Sequence, residues 1–450
     1  MSERPKPWLA LGAVVTGQLM VGVDATILAL ALPGMAADLH LSSQAVAWVM
    51  AAYVLAAGSL MIAGGRVAQA VGYRRVMTLG LIAFGLASAV GGAADLGWLL
   101  ICARVAQGVA AAAMTPAAMA RLSAAFPDAG RDRAYAVFGM IMGSGTAIGL
   151  LLGGVLTQLA GWRACLYVNV AFVVVALVLS TLAGDDVERS PGHGRGSWRG
   201  AVLAAGAALV IQALTVVDDP GRAAAFGVAG ALVLVGFADS ERRSTAPLIP
   251  AALFESATRR VAYYGLFLWG VATIATFVSA SGSLQHDHHL APLATGALFS
   301  IYPAAIQLGL FLSRRLGTRP PVRQIGVGLA LLGAGQIVFA LSPTSLAAVL
   351  TGLGVMGLGT SQVMPAANSA MNRDAGPHAG VAGAVGTTLQ QLGASVGLAL
   401  PVALAAITAH ATSIAVGVTA LALTVGSALA LRQHARPIAT PAPTPHETST

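Results

Sequence analysis

Apolar stretches long enough to cross a lipid bilayer recur along almost the whole chain. A membrane-spanning helix needs about 20 consecutive, mostly apolar residues, and such runs follow one another here with short polar breaks between them. Of the 450 residues, 56% are hydrophobic and only 9% are charged, whereas soluble domains carry about 25% charged residues. The sequence therefore predicts an all-α integral membrane protein with little soluble mass.

The hydropathy pattern predicts fourteen membrane-spanning helices. The apolar block 324–372 is too long for one span and is divided at Ser342–Pro343, a pair that is typical of turns. The expected spans are Leu9–Leu32, Ala45–Val67, Val76–Ala93, Leu96–Ala118, Ala134–Leu159, Leu166–Ala183, Ala201–Val217, Ala223–Phe237, Val261–Leu284, Ala294–Leu312, Ile325–Leu341, Leu346–Ala366, Val381–Ala406 and Thr412–Leu431.

The basic residues indicate an orientation. If both ends of the chain lie in the cytoplasm, 22 of the 25 Lys and Arg residues fall in inner loops, Arg163 and Arg222 fall in outer loops, and Arg104 lies within a span. Cytoplasmic loops of membrane proteins carry this kind of excess. We therefore expect a multi-pass protein of the cell (inner) membrane with cytoplasmic termini. Because the net charge of +8 comes from scattered loop clusters, we expect no nucleic-acid partner.

Two short matches indicate an internal repeat. Gly108–Pro116 (GVAAAAMTP) resembles Gly357–Pro365 (GLGTSQVMP), and Gly72–Arg74 resembles Gly317–Arg319, at offsets of 245–249 residues. We therefore divide the chain into a six-helix half (1–183), a linker with two inserted helices (184–260), a second six-helix half (261–436) and a disordered cytoplasmic tail (437–450). Two such halves around a central cavity are typical of secondary transporters.

Arg104 is the only charge in the apolar run Leu99–Pro116. An arginine in hydrocarbon costs roughly 2.5–3.5 kcal/mol on insertion scales, so it normally faces a polar interior and serves a function. Gln107 and Gly108 fall on the same helical face. Arg104 is therefore predicted either to clamp backbone carbonyls of the first or fifth helix, or to take part in a proton path with Gln107. The sequence leaves both roles open.

Asp24 lies within the first span, among apolar residues. Low-dielectric surroundings disfavour the charged form of a carboxyl, so such an acid can hold a proton at neutral pH and release it when a cation or water arrives. The alternative is a helix-end acid exposed to an outer vestibule, with a structural role. An ion pair with Arg104 would favour the carboxylate and would oppose the effect of burial.

Two further sets of residues are candidates for packing or for a substrate cavity. Gly145, Gly149 and Gly153 recur at four-residue spacing, a pattern that lets helices approach closely. If these glycines also have a functional role, a tight contact between the fifth helix and the eighth helix of the two six-helix halves would prevent a leak through the closed protein. The side chains that either line a pliable apolar pocket or pack in the core and against lipid are Tyr53, Met114, Met142, Trp269 and Phe277.

No enzyme motif is present. The run from His286 to His289 (HDHH) lacks the spacing and the further ligands of a typical metal site, and neither a zinc-protease H-E-x-x-H nor a phosphate-binding G-x-x-x-x-G-K-[ST] occurs. We therefore expect no metal, no cofactor and no enzymatic activity.

Five stretches in order complete the pattern: Val23–Pro33 (VDATILALALP), Gly65–Arg75 (GRVAQAVGYRR), Trp98–Gly108, Gly145–Gly154 and Gly161–Asn169. Together they resemble the major facilitator superfamily, specifically its fourteen-helix drug:proton antiporter branch (EmrB/QacA-like). The resemblance covers essentially the whole chain and implies two six-helix halves plus a two-helix central insertion.

The resemblance also implies a function and roles for residues. The chain would be a monomer that exports small amphiphilic or drug-like molecules in exchange for protons by alternating access. Asp24, Arg104 and Gln107 would serve proton coupling or substrate binding, and Gly145, Gly149, Gly153 and Gly154 would form the packing motif of the fifth helix. The gating loop after the second helix would comprise Gly65, Gln69, Gly72, Arg74 and Arg75.

The chain departs from this pattern at three positions. The loop has Gln69 where the family usually has an acid that helps to hold the cytoplasmic side closed, and Ala70 where it often has a basic residue. Leu150 replaces a proline of the fifth-helix motif. That replacement weakens the argument against the alternative function, a narrow-specificity metabolite transporter working by uptake symport or by export of an endogenous product.

Overall fold

The structure is a computed structural model, and within the part of the chain that it describes all regular structure is helical. It describes residues 6–126, 131–184, 197–216, 220–244, 247, 249–315, 319–342, 344–372 and 379–405, with six scattered residues from 419 to 428. The helices are α1 (Pro7–Asp38), α2 (Ser43–Val71), α3 (Tyr73–Gly92), α4 (Gly97–Ala125), α5 (Arg131–Ala160), α6 (Trp162–Leu182), α7 (Ser197–Thr215), α8 (Pro220–Arg242), α9 (Ala257–Gly282), α10 (Pro292–Phe299), α11 (Ile301–Arg315), α12 (Pro321–Leu341), α13 (Leu346–Asn372) and α14 (Ala379–Ala405).

Thirteen of the predicted spans have a helical counterpart in these ranges. The predicted tenth span is present as α10 and α11, which are separated at Ser300. Within the described ranges, ten helical segments are long and apolar enough to cross a membrane. The fourteenth span, Thr412–Leu431, lies almost wholly outside the described residues, as do most of the linker and the tail 437–450. Helices such as α1, with 32 residues, exceed the predicted length because a helix continues past the hydrocarbon core.

The internal repeat appears as matching close contacts in the two halves. A Cβ atom on Gly108 of α4 would lie 2.8 Å from the Cβ of Ala56 on α2, and one on Gly357 of α13 would lie 2.7 Å from the Cβ of Ala305 on α11. Both partners in the second pair are 249 residues further along the chain than those in the first. In each half, glycine therefore permits the same helix pair to approach closely.

The halves meet between α2 and α14, where the hydroxyl of Thr388 donates to the carbonyl of Gly58 at 2.6 Å. They also meet at the end of the bundle that carries Asp38, Asp95 and Arg163, which we call the arginine-poor end. There Arg163 binds both Asp38 and, at 3.1 Å, the Oδ1 of Asp95. A Cβ on Gly296 of α10 would lie 2.8 Å from the carbonyl oxygen of Leu150 on α5, and Ser281 of α9 donates to the carbonyl of Ala29 on α1 at 3.1 Å. The opposite, arginine-rich end holds the turn between α2 and α3.

The two inserted helices pack at the side of the bundle. Helix α7 contacts α8, α2 and α14, and Trp48 on α2 donates its indole N–H to the Oε1 of Gln212 on α7 at 2.8 Å. On α8, Val228, Leu232 and Val235 are exposed. This face is suited to lipid, because lipid tails are as apolar as these side chains.

Two arginines that the sequence places in cytoplasmic loops lie in helices instead, and both are buried. Arg121 is fully buried in α4 and donates to the Oγ of Ser180 on α6 at 2.6 Å. Arg259, in α9, is also buried and donates to the carbonyl of Met371 in the last turn of α13 at 3.2 Å. The reason is that α4 and α9 extend beyond their predicted ends, which carries these side chains between neighbouring helices.

The glycine contacts lead to a stability prediction. We expect Gly108→Ala and Gly357→Ala each to destabilise the protein by about 1–3 kcal/mol, because the added methyl group overpacks a close helix contact. Thermal unfolding of the purified protein in detergent measures the effect. Gly22→Ala on α1 is the matched control, since nothing lies within 4 Å of its added Cβ. Equal stability of all three variants would contradict the prediction.

Candidate functional site

A buried ion pair between Asp24 on α1 and Arg104 on α4 is the centre of the site. The Nη1 of Arg104 lies 2.7 Å from the Oδ2 of Asp24, and both side chains are fully buried. The two residues are 80 positions apart in the sequence. Removing two charges from water carries a large desolvation cost, which is offset only if the remaining polar atoms also find partners.

Neighbouring helices supply most of those partners. Asn169 on α6 donates to the Oδ1 of Asp24 at 2.6 Å, and the Nε of Arg104 donates to the carbonyl oxygen of Val49 on α2 at 3.1 Å. The Nη1 of Arg104 also donates to the Oε1 of Gln107 at 2.7 Å. The pair therefore ties α1, α2, α4 and α6 together in the first half.

The network extends from Gln107 into α3. The amide nitrogen of Gln107 donates to the Oγ of Ser88 at 2.6 Å, and both side chains are fully buried. An aromatic ring covers the cation: the Cζ of Arg104 lies 4.3 Å from the ring centroid of Tyr53. The quadrupole of the ring attracts a guanidinium at this distance, and the edge of Phe84 in turn meets the Tyr53 ring.

Three polar atoms of this cluster have no hydrogen-bond partner in the described part of the chain. They are the Nη2 of Arg104, the Oη of Tyr53 and the Oδ1 of Asn169. Because an unsatisfied buried polar group costs about 1–3 kcal/mol, such groups in native proteins are met by water, an ion or a functional partner. The site therefore has two donors and an acceptor available for a further polar group beside the ion pair.

The geometry resolves several sequence-based alternatives. Asp24 does not lie exposed in an outer vestibule, because its side chain is fully buried. Arg104 does clamp a backbone carbonyl, but that carbonyl belongs to Val49 on α2 and not to the first or fifth helix. The ion pair that the sequence allowed is present, and Gln107 joins it.

Sequence reasoning missed Asn169 and Ser88 as site residues. Each is an uncharged polar residue with apolar neighbours in its span. Polar residues in membrane spans also form hydrogen bonds that only pack helices together. Polarity within a span therefore did not distinguish these two residues from the glutamines in other spans.

The predicted packing motif of α5 lies against two other helices. A Cβ on Gly149 would lie 2.9 Å from the carbonyl oxygen of Val23, one on Gly153 2.6 Å from that of Ile27, and one on Gly154 2.7 Å from that of Pro292. The first two contacts are with α1 and the third is with α10, which is the eighth helix of the repeat when the inserted pair is left out. Gly145 faces Leu19 of α1 more loosely.

The predicted gating loop forms the turn between α2 and α3, at the arginine-rich end. Gly72 has φ of +109°, a conformation that residues with a side chain rarely adopt. Gln69 and Arg75 are exposed and Arg74 is half-buried. A Cβ added to Gly65 would lie 3.5 Å from the Cβ of Pro116 on α4.

The structure disperses the candidate cavity residues. Tyr53 belongs to the ion-pair cluster, Met114 is fully buried in the core of the first half, and Phe277 packs between Phe299 and Tyr302. Trp269 is half-buried and donates its indole N–H to Thr360 at 2.9 Å. The side chain of Met142 lies outside the described residues, as does that of His286. Among the described residues, no group of three His, Cys, Asp or Glu side chains could hold a metal ion.

The second half has an uncharged counterpart of the site. At the repeat offset of 249 residues, Tyr302 corresponds to Tyr53, Thr273 to Asp24 and Leu353 to Arg104. The hydroxyl of Tyr302 shares a hydrogen bond of 2.7 Å with that of Thr360, which also accepts from Trp269. The buried ion pair is therefore a property of the first half, and the equivalent place in the second half is polar but neutral.

Comparison with known proteins identifies the family. Residues 14–398 match the family model described as Major Facilitator Superfamily. The chain belongs to the major facilitator superfamily. It is 36% identical over 410 residues to the puromycin resistance protein of Streptomyces alboniger, an alignment covering 88% of this chain and 81% of that protein. The lincomycin resistance protein of Streptomyces lincolnensis is 30% identical over 411 residues, covering 88% and 84%.

A third relative and a solved structure agree with this superfamily assignment. The tetracenomycin C resistance and export protein of Streptomyces glaucescens is 30% identical over 414 residues, covering 88% of this chain and 76% of that protein. The crystal structure of the peptide transporter POT in complex with sulfate has a TM-score of 0.71 at 16% identity, covering 96% of this chain and 94% of that one. The likeness to the peptide transporter concerns the fold alone. The chain is thus a multi-pass membrane transporter of the superfamily and not an enzyme.

The ion pair leads to a prediction about energetic coupling. We expect Asp24→Asn and Arg104→Gln each to destabilise the protein by about 3 kcal/mol or more, because each leaves a buried charge without its partner. The double variant should lose less than the sum of the two single effects, since neither charge then remains. Thermal unfolding in detergent provides the measurement. Strictly additive effects would show that the two charges do not depend on each other.

Proposed function

We propose that this protein is a proton-coupled exporter of small amphiphilic, antibiotic-like molecules. Two observations support the proposal. The first is the buried Asp24–Arg104 pair, which has unused polar atoms beside it. The second is that three relatives, at 30–36% identity, are named for resistance to puromycin, lincomycin and tetracenomycin C. The ion pair is the observation that carries proton coupling, because it contains the only acid buried among the described spans of the first half.

Charge balance within the pair connects protonation to helix arrangement. With Asp24 ionised, the guanidinium of Arg104 has an anionic partner and α1 is held against α4. A proton on Asp24 removes that partner and leaves the guanidinium in low-dielectric surroundings, which is unfavourable. The two protonation states of Asp24 therefore favour different arrangements of these helices, as proton-driven alternating access requires.

Substrate binding would be linked to the same proton. A cation near Asp24 stabilises the carboxylate, so its binding favours release of the proton, and protonation in turn weakens binding of the cation. The free Nη2 of Arg104 and the free hydroxyl of Tyr53 could receive acceptor groups of an uncharged amphiphile in the same place.

The membrane arrangement belongs to this proposal as well. We infer that the chain has the fourteen membrane spans of the drug:proton antiporter branch. The protein would lie in the cell (inner) membrane, with both termini in the cytoplasm. The first half would be residues 1–183, the linker and inserted helices 184–260, the second half 261–436 and the tail 437–450. The arginine-poor end would then face outward and the turn at Gly72 inward, which accords with the arginine distribution.

The test uses inverted membrane vesicles with an imposed proton gradient and a pH-sensitive dye. We expect puromycin, lincomycin or another amphiphile in a broad panel to cause proton release in vesicles that contain the wild-type protein. Asp24→Asn should abolish this release, because the variant side chain does not take up or release a proton. Asp239→Asn on α8 is the matched control, since that carboxylate forms an exposed ion pair with Arg243, the residue that follows the helix.

Each outcome of this test has a definite meaning. Proton release that persists in Asp24→Asn would place coupling at another residue. A lack of response to the whole panel would contradict the multidrug proposal and favour a narrow-specificity metabolite carrier. The amount of protein in the vesicles has to be equal for all variants, because loss of the ion pair also lowers stability.

Closure of the arginine-poor end yields a separate prediction. Gly154→Leu should hold α5 and α10 apart, because a Cβ there would already lie 2.7 Å from the carbonyl oxygen of Pro292. A Ser281→Cys probe on α9, in a protein whose natural cysteines are replaced by serine, should then react severalfold faster with an impermeant maleimide. Gly236→Leu on α8 is the control, because its Cβ has open space. Equal rates in both variants would show that this contact does not close the outer side.

A further inference from the structure

A groove between α11, α12 and α13 at the arginine-rich end has no role in the proposed transport cycle. It encloses a cavity of about 190 Å³. Leu312, Val327 and Leu331 form its apolar walls, and Arg319, Gln324 and Gln362 add polar groups. The lining therefore combines apolar walls with polar groups from α12 and α13 and with the arginine that precedes α12. We call it the α11–α13 groove.

Comparison of the two halves shows how the groove differs from the equivalent place in the first half. In the first half, a Cβ on Gly64 of α2 would lie 2.8 Å from the Cα of Ala113, so α2 and α4 touch along their backbones. At the repeat offset of 249 residues, the second half has Ser313 and Gln362 in place of Gly64 and Ala113. The amide of Gln362 donates to the Oγ of Ser313 at 2.6 Å. These two side chains stand where the backbones of α2 and α4 touch in the first half, and both line the groove.

The sequence that forms α11, α12 and α13 is basic at this end. Between Asp287 and Asp374 the sequence contains no Asp or Glu but has Arg314, Arg315, Arg319, Arg323 and Arg373. Arg319 and Arg323 are exposed, and Arg319 itself lines the groove.

The outer surface of α11 beside the groove is suited to lipid. Leu308 and Phe311 are exposed there, and the guanidinium carbon of Arg315 lies 4.7 Å from the centroid of the Phe311 ring. An arginine so placed keeps its apolar stem along the helix and its charged head at the membrane surface.

We propose that the α11–α13 groove binds an anionic phospholipid of the inner leaflet. Its phosphate would lie against Arg319 with the amide of Gln324 beside it, and one acyl chain would run along Leu312, Val327 and Leu331. Basic pockets between membrane helices on the cytoplasmic side are suited to such headgroups. The exposed guanidinium groups of Arg315, Arg319 and Arg323 favour an anionic lipid over a zwitterionic one.

The experiment titrates lipids onto the purified full-length protein in detergent and counts bound lipids by native mass spectrometry. Phosphatidylglycerol and phosphatidylcholine with the same acyl chains are the two probes. We expect the first phosphatidylglycerol to bind more tightly than phosphatidylcholine, and Arg319→Gln to weaken it about fivefold, since one basic residue near the surface contributes about that factor. Arg243→Gln removes one exposed charge elsewhere and should have no such effect.

A second variant and a soluble competitor make the test decisive. Val327→Trp fills the apolar part of the groove and should weaken the first lipid while leaving Arg319 in place, so it tests the site even if Arg319→Gln does not fold. Equal binding of the two lipids by wild type, or equal behaviour of Arg319→Gln and Arg243→Gln, overturns the proposal. Displacement of the lipid by an equal concentration of glycerol 3-phosphate also overturns it, because the acyl chain would then contribute nothing. None of these binding measurements depends on transport, so failure of the lipid proposal can be distinguished from failure of the proposed export function.

Discussion

The structure depends on how one guanidinium is accommodated inside the membrane. Arg104 is fully buried. Asp24 balances its charge, its Nε donates to the carbonyl of Val49, and the ring of Tyr53 covers one face of the guanidinium. Since a cation in hydrocarbon without such partners is strongly disfavoured, the arrangement of α1, α2 and α4 around it is constrained. Asn169 brings α6 into the same network. The first half is thus organised around a polar centre as well as by apolar packing.

The second half repeats the backbone contacts without the charges. Gly108 and Gly357 permit equivalent close approaches, but Thr273 and Leu353 stand where Asp24 and Arg104 stand in the first half. The second half therefore provides a neutral counterpart with hydroxyl and indole groups. In the proposed cycle, protonation acts on one half only, and the glycine contacts of α5 with α1 and α10 transmit the resulting change to the interface between halves.

Several features of the fold and site could be predicted from the sequence because they depend on local composition. The apolar runs predicted most spans, and a lone Arg104 or Asp24 within such a run indicated a polar interior. Other features could not be predicted in this way. The burial of Arg121 and Arg259 depends on how far helices continue past the hydrocarbon core. The α11–α13 groove depends on side chains from three helices and the turn before α12.

The sequence by itself determined that this is a helical membrane protein with an internal repeat and isolated charges inside its spans, because hydropathy and periodicity are properties of neighbouring residues. The tertiary structure decided which groups neutralise those charges. Arg104 meets an acid 80 residues away and that acid meets Asn169 at a separation of 145 residues. The physical reason is that a buried charge is stabilised only by partners within hydrogen-bond distance, and helix packing alone decides which distant residues come that close.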